Sequence, residues 1–121
     1  MKKQEILTGV VAGPYSPAVA TEHLIFVSGQ IPLNAQGVLA EGIEAQARQS
    51  LENLKAVLKA GGSDLENVVK TTIFLVNLGD FDLVNRVYAE YFAKPYPARS
   101  CVEVSKLPKG ALVEIEAVAA V

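Results

Sequence analysis

Arg99 and Cys101, the only cysteine in the chain, lie two residues apart in the stretch "YPARSCVEV". Residues at that spacing share one face of a β-strand. Val102 and Val104 alternate with them and mark the other face as the apolar one. Further on, in "ALVEIEAVAAV", Val113 and Ile115 alternate with Glu114 and Glu116. A guanidinium offers paired donors that match a carboxylate, and a nearby carboxyl can take up and return protons. Arg99 with Glu114 would therefore suit an acidic substrate, provided the two strands bring them onto one face. The plainer alternative is a cross-strand ion pair, or two separately solvated charges, because few surface ion pairs are catalytic.

The other candidates are weaker on residue type alone. Cys101 as a nucleophile needs a base to form thiolate, and the single histidine, His23, is far away in sequence. A packed thiol is the commoner role for one free cysteine. Tyr15 lies in the loop "GPYSP", where an aromatic plug over the core and a ligand contact are equally open readings. Ser28 and Gly29, in "VSGQ", end a strand where a backbone N–H could meet a ligand. Asn85 falls on a helix and reads most simply as a polar surface or capping residue. "GGSD" lacks the Gly-Lys-Ser/Thr ending of a phosphate loop, so nucleotide binding has no support.

The elements that must position these residues follow from pattern. Ala47, Leu51, Leu54 and Leu58 recur at three- and four-residue steps, which predicts an amphipathic helix over 43–60, stopped by Gly61 and Gly62. "DFDLVNRVYAEYF" predicts a second helix with Asp80 as N-cap, ended before Pro95 and Pro97. Strands are expected from His23 to about Ser28, over 67–78, over 99–107 and from 111 onward, with "NAQG" a hairpin turn and "PKG" joining the last two strands as an antiparallel hairpin. The strand–helix–strand unit 67–107 should be parallel with a right-handed crossover. The order is β-β-α-β-α-β-β, an α+β fold with two helices on one face of a mixed sheet. Ile73 and Leu75 on one face, and Phe74 and Val76 on the other, both call for burial. No third layer remains, so the second face is expected to pack against another copy.

Composition narrows the function classes. The chain has 121 residues, half of them hydrophobic and 20% charged, which fits one domain over 1–121 and excludes disorder. A net charge of −2 without a basic stripe disfavours extended nucleic-acid binding. One cysteine and one histidine leave no internal disulfide and no structural zinc site. No secretory h-region and no long apolar run are present, so the expectation is a soluble, cytoplasmic protein.

The blocks "GPYSPAV", "FVSGQIPL", "QSLENLKAVLKAGGSDLENVVKTTIFL", "VNRVYAEYF" and "PARSCVEVSKLPKGALVEIEAVA" together resemble the reactive intermediate deaminase (Rid, or YjgF-like) family, from about Gly13 to Ala119. The resemblance implies a chorismate-mutase-like fold, a homotrimer with clefts between subunits, and hydrolysis of 2-aminoacrylate and 2-aminocrotonate, as enamine or imine, to 2-oxoacids and ammonia. It implies no cofactor and no metal. On it, Arg99 pairs with the substrate carboxylate, Glu114 holds the attacking water and handles protons, and the backbone carbonyl of Cys101 helps place that water. Tyr15, Ser28 and Gly29 line the cleft, with Asn85 near it. Pro17 departs from the family's usual "GPYSQA". Two rivals stand beside this reading: a ribonuclease or translation inhibitor, and a non-enzymatic trimeric module that binds small ligands or acts like a chaperone.

Overall fold

In the computed structural model, which describes residues 2–9 and 11–121, helix α1 runs Ile43–Ala60, the bounds the periodicity predicts. Ala47, Leu51, Leu54 and Leu58 are fully buried on its inner face, each leucine contributing about 1.5–3 kcal/mol. The helix closes as the glycine pair requires. Gly62 takes φ +82, and the Ser63 N–H donates back to the Leu58 carbonyl at 2.9 Å. Helix α2 runs Phe81–Tyr91. Asp80 does occupy its N-cap position, but its side chain makes no capping bond. Instead, Asn77 accepts from the Gly79 N–H in the 3₁₀ turn just before.

Both helices cover one face of a six-stranded mixed sheet in the order β1-β2-β3-β6-β4-β5. Its strands are β1 Gln4–Ile6, β2 Ala18–Ala20, β3 Leu24–Gln30, β4 Val68–Leu75, β5 Ala98–Glu103 and β6 Val113–Ala120. β4 and β5 are parallel, as the crossover argument requires. Two elements differ from expectation near the N-terminus. Three-residue strands β1 and β2 precede β3, too short for alternation to declare them, and "NAQG" turns back only into an isolated Leu33–Leu39 bridge.

The expected terminal hairpin is overturned. β6 does not pair with β5; it lies antiparallel between β3 and β4. Composition explains the placement. Val113, Ile115, Ala117 and Ala119 are all buried, with Val118 and Ala120 on the other face, so β6 is apolar enough for the sheet centre. β5 carries Arg99, Ser100 and Glu103 and takes an edge, which polar strands tolerate better. The assignment of covered and open faces on β5 is also inverted. Arg99 and Cys101 lie beside the buried Thr71 and Ile73 on the helix side, whereas Val102 is 43% exposed on the open face.

Candidate active site

The site is built from two groups of side chains, one on each face of the sheet. On the helix side, the crossover lays α2 over β5, so residues of that helix meet Arg99. Its guanidinium carbon stands 4.9 Å from the centroid of the Tyr88 ring and 5.5 Å from that of Phe81. Asn85, Tyr88, Ala89, Tyr96, Pro97 and Arg99 line a cavity of about 270 Å³. Asn85 thus lines the same cavity as Arg99. Burial raises the Tyr88 hydroxyl pKa, against a smaller lowering by its Thr71 hydrogen bond and by the Arg99 charge. Cys101 lies on the same face, and burial pushes its thiol up although Arg99 pulls the other way. The thiol therefore stays protonated at neutral pH. His23 is 88% exposed in the turn before β3, at the far end of the sheet, so no Cys–His dyad forms.

On the open face, Glu114 sits where the β3–β6 register slips. Val27 pairs with Ala117 and Gln30 with Ile115, which leaves Ser28 and Gly29 as a bulge opposite Glu116 alone, with Glu114 just past it. Gly29 leaves that carboxyl its room. A Cβ on it would lie 2.7 Å from the Glu114 carboxyl carbon and 2.9 Å from Oε2. The Ser28 hydroxyl donates to the Ser16 carbonyl at 2.6 Å and its N–H to that of Pro17 at 2.9 Å, fastening the "GPYSP" loop to the strand end. Tyr15, Ser28 and Gly29 line one cavity of about 160 Å³, and Tyr15 and Ser28 border a second of about 360 Å³ with Lys70, Thr72 and Glu116. Partial burial raises the Glu114 pKa, and the like charge of Glu116 adds to it.

Helix α1 steadies this strand end with three polar side chains. Ser50 donates to the Gln30 carbonyl at 2.9 Å, and Asn53 to the carbonyls of Ile31 and Leu33 at 3.0 and 2.9 Å. Gln46, 3% exposed, donates to Ala40 and accepts from the Leu112 N–H at 2.7 Å.

Arg99 and Glu114 do not share a face. Arg99 is in register with Thr71, and Glu114 with Phe74, three residues along β4 and therefore facing opposite ways. The offset is about 10 Å along the strands and about 10 Å across them. The expectation of a single-face Arg/Glu pair within one chain fails because β4 separates their strands. Pattern reading also missed Phe81, Tyr88 and Lys70. The first two were legible in principle, since the seven-residue spacing of Phe81 and Tyr88 puts them on one face of a helix that must cross over β5.

Residues 7–121 match the family model described as Endoribonuclease L-PSP. The chain belongs to that family. Among its relatives, it is 55% identical to the RutC family protein y4sK of Sinorhizobium fredii over 109 residues, covering 88% of this chain and 86% of that one. It is 48% identical over 111 residues to the 2-iminobutanoate/2-iminopropanoate deaminase of Salmonella typhimurium, covering 88% and 87%. The solved structure of Escherichia coli TdcF with bound serine superposes with a TM-score of 0.87 at 41% identity, covering 98% of this chain and 95% of that one. Family members thus carry more than one kind of name, and the deaminase name goes with the Rid-like reading of the sequence.

Proposed function

We propose that the protein hydrolyses small 2-imino acids and their enamine tautomers to 2-oxoacids and ammonia, at a cleft formed where two copies meet. The observation that carries this reading is the division of the site: Arg99 on the helix side of an edge strand, and Glu114, its carboxyl pKa raised by burial, against Gly29 on the open face. Neither half can do the chemistry alone. Docking the open face of one copy against the β5 edge of another would bring an Arg half to a Glu half. The open face invites such cover, because Phe26 is 46% and Val102 43% exposed there, beside the partly buried Phe74 and Val118. A homotrimer is the assembly the resemblance implies.

In that cleft Arg99 grips the substrate carboxylate with a charged, paired hydrogen bond. Glu114 removes a proton from water as the oxygen bonds to C2 and the C=N pair moves onto nitrogen, then gives that proton to the nitrogen, forming the amine of a carbinolamine. Glu114 next takes the carbinolamine hydroxyl proton as C=O forms and delivers it to the nitrogen as the C–N bond breaks, so that ammonia leaves. One water enters and one ammonia departs. The imine carbon is electrophilic already, so these residues and water account for every bond. The Cys101 carbonyl helps hold the water, and Tyr15, Ser28, Gly29 and Asn85 shape the cleft. The named deaminase relative and the structure of TdcF with bound serine, itself an amino acid, both support the substrate class.

The family's description favours ribonuclease activity as a second reading. A net charge of −2 weighs against a groove for a polyanion. A binding module would need Arg99 but has no use for the raised Glu114. The test generates 2-aminoacrylate and 2-aminocrotonate with a dehydratase and traps surviving imine with semicarbazide. The protein is expected to suppress semicarbazone and release 2-oxoacid. An intact assembly that gives no protection from the trap removes the deaminase reading.

A further inference from the structure

Arg48 shows one way an arginine is held in this chain. Its guanidinium meets the Glu90 carboxylate at 2.8 and 2.9 Å, with Glu44 at 3.5 Å. Arg99 is held differently. None of the ion pairs among the described residues includes it, and its guanidinium rests on the faces of Tyr88 and Phe81, one helix face apart by two turns. Tyr88 itself has little freedom. Its hydroxyl is 2.9 Å from Thr71 Oγ1, its ring centroid is 4.4 Å from that of Phe92, and it is 6% exposed. Thr71 is fully buried and pairs with Arg99 across the β4–β5 ladder. Backbone register, hydroxyl pair and ring contact thus close a loop around the guanidinium.

The choice of rings over an acid has a chemical consequence. An aromatic face attracts a cation through its quadrupole but offers no oxygen lone pair to fill the fork. A carboxylate in the same place would fix the arm equally well, yet it would occupy the donors and cancel the charge that an acidic substrate needs. We infer that Phe81 and Tyr88, backed by Thr71, are positioning residues that hold the Arg99 fork in place while leaving it open to a carboxylate. This rests on reading Arg99 as the substrate anchor. Because such an anchor grips ground state and transition state alike, loosening it should act on KM and leave kcat alone.

The test compares wild type with Phe81→Leu, Tyr88→Leu and Tyr88→Phe. Phe81 is partly exposed at the first residue of α2, so its replacement spares the core. Two readouts are taken: the NMR order parameter of the Arg99 Nε–Hε bond without ligand, and kcat and KM on 2-iminobutanoate formed in situ. Both leucine variants are expected to lower the order parameter and raise KM about tenfold, with kcat within about twofold, the loss of one ring contact to a cation. Tyr88→Phe keeps the ring and should hold KM within about threefold. An unchanged order parameter in Phe81→Leu overturns the inference, even if Tyr88→Leu fails to fold. A fall in kcat and melting temperature with KM unchanged across the set overturns it too, marking these residues as packing alone. A wild type that turns over no imine removes the deaminase reading, and the NMR comparison still decides this one.

Discussion

Arg99 and Cys101 share a strand face but are expected to answer mutation very differently. Removing a guanidinium that binds a carboxylate costs about 3 kcal/mol, so Arg99→Ala should lower kcat/KM on 2-iminobutanoate by more than about 100-fold. Cys101→Ser keeps the main chain and should retain activity within about threefold, since its thiol is protonated and offers no nucleophile. Equal losses in the two variants, measured at matched folded concentration, would point to thiol chemistry. Glu114 gives a pH signature. Its pKa is raised in the folded state, chiefly by burial and then by Glu116, so its ionisation costs stability as pH rises past the ordinary carboxylate range and costs nothing below about pH 4. Glu114→Gln should therefore gain melting temperature over wild type at pH 7 and lose that gain near pH 4. Glu116→Gln removes the like charge and should move the acid limb of the kcat/KM profile to lower pH. Because Glu114 is only partly buried, that displacement should shrink in high salt.

At the scale of elements, the bulge in β3 does what neither strand does alone. It offsets the pairing with β6 so that Gly29 faces the Glu114 side chain, and only a residue without Cβ leaves the carboxyl where it is. Gly29→Ala should force that carboxyl aside and cut kcat at least about tenfold, with little loss of stability in urea unfolding, because the atoms its Cβ meets are the far end of a flexible side chain. Normal kcat in a folded Gly29→Ala protein would show that the carboxyl position is not needed. The sequence made Gly29 visible as a candidate but for its N–H; the close approach to Glu114 depended on a register that alternation cannot supply. The two helices were legible because burial repeats every three to four residues along each. The strands of three residues were not, because a period of two needs more length than that to show.

For the whole molecule, the separation of Arg99 from Glu114 by the sheet turns the proposed activity into a property of an assembly. Arg99→Ala and Glu114→Gln are each expected to be inactive. Unfolded together in equal amounts and refolded, they should recover about one quarter of wild-type activity, since in a closed ring of random composition about one interface in four joins an intact Arg half to an intact Glu half. No recovery despite mixed assembly, shown by native mass spectrometry, would mean that each chain uses its own pair or that the two residues do not cooperate. The exposed apolar face carrying Phe26 and Val102 is the surface such an assembly would cover.

The sequence by itself determined the local facts: the α1 bounds, the parallel β4–α2–β5 unit, the burial of Ile73 and Leu75, and which residue types were fit to grip an acid and move protons. Those depend on neighbours within a few positions, and periodicity records them. Tertiary structure decided that β6 enters the sheet beside β4, that β5 turns Arg99 toward the helices, and that Phe81 and Tyr88 lie beneath it. Strand order is settled by competition among whole strands for the buried centre of the sheet. That is a comparison across the chain, and no single stretch of it contains the answer.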